Sequence, residues 1–89
     1  MEEHIVRTDR EINKRVRTIF RLAHDRSERQ LFVAGENAWH TYRQKACKSE
    51  ARAFRGGSAQ PAAYADCELT RNRTHLRELA DFEAVLTGR

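Results

Sequence analysis

Proline occurs once in this chain of 89 residues, glycine four times and cysteine twice. A sandwich or barrel of short strands needs turn residues at about every 8–12 positions, and so little proline and glycine cannot supply them. No apolar run approaches the roughly 20 residues that a membrane-spanning helix requires. Met1-Glu2-Glu3-His4 has neither an apolar stretch nor a small-residue cleavage site, so no export signal is read there. The chain is too short for a dinucleotide-binding unit with a substrate domain, a barrel enzyme or a kinase. It contains no H-E-x-x-H, no glycine-rich phosphate loop leading to Lys-Ser/Thr and no G-x-S-x-G. Ser58 has no base placed beside it. No catalytic residue, cofactor or enzymatic activity is expected.

What is present is 34% charged and 39% hydrophobic residues, too apolar for obligate disorder. The hydrophobic positions recur at helical spacing, so the expected fold is all-α. It is a single domain of three helices at about 3–24, 28–54 and 61–86, a helical hairpin with a third helix packed on it. In the first helix Ile5, Ile12, Val16, Ile19, Phe20 and Ala23 form one stripe, and arginines and Lys14 fill the opposite face. Asp25 or Ser27 can cap the second helix, and Ser27 has Gln30 at capping-box spacing. The apolar line of that helix reads Leu31, Ala34, Ala38, Tyr42, Ala46 and Phe54, with Phe32, Trp39 and Cys47 alongside. Trp39 and Tyr42 are expected in the core, as an aromatic pair anchoring the helices. The third helix carries Tyr64, Cys67, Leu69, Leu76, Leu79, Phe82 and Leu86.

Arg55-Gly56-Gly57-Ser58-Ala59-Gln60-Pro61 is the clearest loop, with glycines able to end one helix and a proline suited to starting the next. Cys47 lies nine residues before this turn and Cys67 ten after it. Antiparallel helices joined there bring the two to nearly the same height, where a disulfide is reasonable. Two buried free thiols are the alternative. Zinc is not expected, because His40 and His75 lie seven or eight residues from the nearer cysteine, about 10–12 Å along a helix. His4 and His24 are read as surface.

The formal charge is +4, and its excess sits between residues 43 and 55, where Arg43, Lys45, Lys48, Arg52 and Arg55 face a single acid. On a helix the five are spread around the axis, which suits a solvated surface better than a ridge that reads a nucleic-acid groove. Nucleic acid therefore ranks below an acidic protein or anionic cell-wall material as a partner.

Trp39-x-x-Tyr42-Arg43-x-x-x-Cys47, followed by Gly56-Gly57-Ser58, Cys67, Leu69-Thr70 and Arg73 with Leu76 and Leu79, resembles the LprI-like lysozyme-inhibitor family. Asp9-Arg10-Glu11-Ile12-Asn13 is similar to the D-x-x-L-N helix start of that family. The resemblance implies a small helical domain with Cys47 and Cys67 bridged. It also implies a periplasmic or secreted location, and inhibition of lysozyme or another peptidoglycan-cleaving enzyme. A protruding loop is the natural plug for a cleft, so Lys48, Arg52, Arg55, Gly56, Gly57, Ser58 and Gln60 are the candidate partner-binding residues. The alternatives are an envelope-associated binding module without inhibitory activity and, less favoured, a small basic nucleic-acid-binding protein.

Overall fold

The computed structural model describes residues 2–89 and consists of three α-helices, α1 (Glu2–Leu22), α2 (Arg26–Arg52) and α3 (Gln60–Thr87). The all-α expectation holds, and each helix ends within two residues of its expected limit. The molecule is elongated, 50 × 22 × 15 Å in its principal extents. Helix α3 is the organising element, because both other helices pack along it. Contacts between Thr8 and Asn72 and between Arg15 and Glu83 make α1 parallel to α3. Contacts between Glu36 and His75 and between Glu28 and Arg89 make α2 antiparallel to it.

The inward stripe of α1 follows the 3.6-residue period: Thr8, Ile12 and Ile19 are buried, with Ile5 and Val16 half-buried beside them. Ile12 and Ile19 meet Leu79 and Leu86 of α3, and Val16, Leu22, Phe32, Trp39 and Leu76 close around this cluster. Phe20 departs from the expected stripe, for it lies on the flank of α1 and stays largely exposed under the Arg29 guanidinium.

Helix α2 is turned differently from the expected orientation. Leu31 is 73% exposed, Tyr42 is 54% exposed, and Ala34, Ala38 and Phe54 also face solvent. The inward line is instead Phe32, Glu36, Trp39, Arg43, Cys47 and Ala51. Two of these six are charged, so the apolar line pointed to a face that lies toward solvent, although Phe32, Trp39 and Cys47, expected alongside it, do point inward. Trp39 does pack against the core, as expected, whereas Tyr42 does not.

Asp25 is the residue that caps α2, its Oδ1 accepting from the Glu28 amide at 2.9 Å, and Ser27 lies inside the helix. The Glu28 carboxylate then accepts from the His24 amide at 2.6 Å and from the Arg89 guanidinium at 2.6 and 3.1 Å. One side chain thus ties the start of α2 to the end of α3. At the far end, α2 dissolves into successive short turns, including Phe54 N to Ala51 O at 3.0 Å and Gly57 N to Phe54 O at 3.1 Å. Among the described residues only Gly56 has positive φ, at 81°. It reverses the chain where a residue with a Cβ would be strained. Pro61 sits in the first turn of α3, where its missing N–H costs no helical bond.

Cys47 and Cys67 are joined by a disulfide, with their Cα atoms 5.4 Å apart and a sequence separation of 20. Cross-linking such a loop removes conformational freedom from the unfolded chain, worth roughly 3 kcal/mol in the chain-entropy model. The double variant Cys47→Ser/Cys67→Ser should lose about that much unfolding free energy in urea titration. A loss under about 1 kcal/mol would mean that the hairpin is closed equally well without the bond. A second expectation concerns acid. The Arg89 guanidinium and then the His24 amide hold the Glu28 carboxyl at about 2, below its ordinary 4.5. The folded form therefore releases this proton more readily than the unfolded chain. The clip supports the fold above pH 4.5 and is lost as pH falls from there toward 2. In Arg89→Ala the Glu28 midpoint, followed by NMR, should rise toward 4.5; an unchanged midpoint would remove Arg89 as its cause.

Candidate functional site

Half-way along the bundle, one polar cluster joins all three helices. Asn72 of α3 is fully buried. Its Nδ2 donates to Thr8 Oγ1 at 3.0 Å and to Asp9 Oδ1 at 2.9 Å on α1, and its Oδ1 accepts from Arg43 Nη1 at 2.7 Å on α2. The same Arg43 nitrogen donates to Asp9 at 2.9 Å, and the guanidinium lies 5.2 Å from the centre of the Trp39 ring. The opposite side of the Trp39 environment is closed by His75, stacked on the indole at 3.8 Å and 9°. His75 Nε2 donates to Glu36 Oε2 at 2.8 Å, while its Nδ1 is buried without a partner. Although a histidine–carboxylate pair has catalytic potential, here both side chains are close to nine-tenths buried and serve as an internal tie between α2 and α3.

The family motif read from the sequence divides along the same line. Trp39 and Arg43 belong to this interior layer. Tyr42 and Arg73 are exposed, and nothing in the structure explains either.

The candidate partner-binding residues gather at the other landmark, the end of the molecule formed by the α2–α3 loop. Lys48, Arg52, Arg55, Gly56, Gly57 and Ser58 are exposed there, and Gln60 is half-buried at the first position of α3. The charge is arranged differently from the expected scatter around the axis. Arg43 is drawn inward, whereas Lys45, Lys48 and Arg52 fall within about 60° of arc on the outer surface of α2, and Arg55 follows on the turn. Lys45, Lys48, Ser49 and Arg52 line one shallow hollow. Among the described residues, none of Lys45, Lys48, Arg52 and Arg55 has an acidic partner: the nearby Glu50 is taken by Arg71 at 2.9 Å. Like charges at helical spacing of three and four repel, by about 0.2–0.5 kcal/mol per pair. This end of α2 therefore carries uncompensated charge.

Phe54 completes the tip. It is 48% exposed beside Ala59, Ala62, Ala63 and Thr70, in a surface hollow between the ends of α2 and α3. Phe54 does not continue the apolar line expected for the second helix, because α2 ends at Arg52, two residues earlier, and the chain has already begun to turn.

Replacing Asn72 with leucine should cost about 2–4 kcal/mol in denaturant unfolding, because Arg43 and Asp9 lose a buried partner each. Tyr42→Ala, on the exposed face, should change stability by less than about 0.5 kcal/mol. Similar losses for the two would contradict the inward line of α2 given above.

The family model described as Lysozyme inhibitor LprI matches residues 1–79. Comparison with curated proteins and with solved structures found no match. The match takes in α1, α2, the loop and most of α3, with both cysteines and the whole polar cluster, and the chain belongs to the LprI family of lysozyme inhibitors.

Proposed function

We propose that this LprI-family chain is an exported inhibitor that occludes a lysozyme-like peptidoglycan hydrolase with the end of its α2–α3 hairpin. The family supplies the class of partner, a protein that cleaves peptidoglycan, and a role that is not catalytic. An inhibitor of a wall-cleaving enzyme acts where the wall is, outside the cytoplasm, and the Cys47–Cys67 bond suits that oxidising setting. No helix among the described residues is long and apolar enough to cross a membrane.

The observation that carries the choice of surface is the uncompensated row Lys45, Lys48, Arg52 and Arg55 leading onto a projecting loop. Glycosidase clefts hold paired carboxylates, and a cationic plug meets them with complementary charge. Phe54 adds an exposed aromatic side chain next to the arginines, and both residue types are enriched at the cores of protein interfaces. The loop is short and held by the disulfide at its base, so little freedom is lost on docking. With a net charge of +4, this chain is steered toward a hydrolase with an acidic rim and away from a strongly basic lysozyme. A wall-degrading toxin from a competing bacterium would fit that description, and the chain would then act as an immunity protein.

Arg52→Glu/Arg55→Glu should weaken inhibition of the target hydrolase at least about tenfold, chiefly through a slower association rate, with the circular dichroism and melting temperature unchanged. Inhibition at the wild-type level by this variant would remove the tip from the account. Absence of inhibition by the wild-type chain across acidic, neutral and basic peptidoglycan hydrolases would remove the inhibitor reading itself.

A further inference from the structure

Helix α1 carries a second row of cations that neither the fold nor the proposed inhibitory tip uses. Arg7, Arg10, Lys14, Arg17 and Arg21 follow one another at steps of three and four residues. Turning 100° per residue, they fall within about 80° of arc and along about 21 Å of helix. The buried residues Thr8, Ile12 and Ile19 occupy the opposite side, so the row is the outermost line of α1, and all five residues are exposed. Among the described residues none of the five makes a salt bridge, although Arg15, one position from Lys14, is paired with Glu83 at 2.5 Å. Glu2, Glu3 and Glu11 line one hollow with Arg7, Arg10 and Lys14, so the N-terminal half of the row has acids beside it and the half from Lys14 to Arg21 carries the excess. From Ile12 to His24 there is no acidic residue at all.

We propose that this row is a docking surface for an anionic phospholipid bilayer, on which the protein lies with the α1 axis parallel to the membrane plane. A straight row on the crest of a convex helix presents all its charges at once to a flat surface. Lipid headgroups diffuse laterally to meet it, whereas a flexible anionic polymer has to be straightened along 21 Å and loses conformational entropy in doing so. A row of charge alone reads no base edges, so it suits a surface recognised by charge rather than a particular duplex sequence. Of the large exposed apolar residues of α1, Val6 lies at the edge of the row, and Phe20 lies about 60° beyond it, under Arg29. Attachment is therefore electrostatic and sensitive to salt, without insertion of a side-chain wedge.

The surface is independent of the inhibitory reading in place as well as in chemistry. Arg21 stands beside the α1–α2 turn at residues 23–25, whereas the tip lies at the opposite end of α2. A molecule attached through α1 leaves its loop free to engage a second protein.

Co-sedimentation with vesicles of phosphatidylglycerol mixed with phosphatidylcholine, compared with phosphatidylcholine alone, tests the proposal on the full chain. The wild-type chain should bind the anionic vesicles at low salt and release them at half-molar salt. A cation at such a surface is worth about fivefold in partitioning, so Lys14→Gln/Arg17→Gln/Arg21→Gln should bind at least about tenfold more weakly. Circular dichroism of the triple variant should be unchanged, since all three side chains are exposed, and so should its inhibition of any hydrolase that the wild-type chain inhibits. A smaller loss, equal binding to phosphatidylcholine alone, or tighter binding to a soluble polyphosphate chain than to the vesicles would overturn the proposal. Each of these leaves the inhibitory reading standing.

Discussion

Asn72 directs its side-chain hydrogen bonds to the two other helices, and the register of the bundle depends on it. Its amide donates to Thr8 and Asp9, its carbonyl oxygen accepts from Arg43, and no water-accessible surface remains. Apolar ridges can slide by a turn and still bury similar area. A buried amide whose partners come from two different helices cannot, because each displaced group would be left unpaired at a cost of about 1–3 kcal/mol. Arg43 repeats the constraint from the other side, since it is half-buried and answers to both Asp9 and Asn72. The cluster therefore contributes uniqueness of arrangement more than net stability.

Other fasteners are strung along the long axis on either side of it. Toward the α1–α2 turn lies the apolar cluster of Ile12, Ile19, Leu79 and Leu86, closed at its end by the Glu28–Arg89 pair. Toward the α2–α3 loop lie the Glu50–Arg71 pair and the Cys47–Cys67 bond. The apolar cluster is small, as expected of so short a chain. The covalent bond falls where apolar burial is thinnest, next to the projecting loop, so the end with the least core beneath it is the end that is stapled.

The division between what could be read from the amino-acid sequence and what could not follows from which physical signal each feature leaves. Three helices and a bridge about the Gly56-Gly57 turn were legible, because glycine placement and the symmetric spacing of Cys47 and Cys67 depend only on chain geometry. The inner face of α1 was legible because its isoleucines are apolar and its outer positions are charged. Helix α2 was misread for a definite reason. Its outer positions Leu31, Ala34, Ala38 and Tyr42 keep a helical apolar period, while its inner positions include Glu36 and Arg43, which are buried by virtue of partners on other helices. Asn72 and His75 left no signal in a hydropathy pattern for the same reason. The basic stretch at 43–55 was legible as a charge excess, but its separation into one interior arginine and a unidirectional outer row depended on that same rotation of α2.

The buried polar side chains of the middle layer are engaged with one another or stacked, and the two proposed binding surfaces lie on the outside. Two outer surfaces stand out because each concentrates like charge: the α2 row has no acidic partner among the described residues, and the α1 row runs without an acid from Ile12 to His24. They also differ in shape. The α1 row is straight and lies on an uninterrupted helix, which suits a flat partner. The α2 row runs off the end of its helix onto a tight turn with an exposed phenylalanine, which suits a concave one. Shape, more than charge, thus assigns the two surfaces to different partners, and the rigid α2–α3 hairpin holds the concave-fitting end clear of the flat-fitting one.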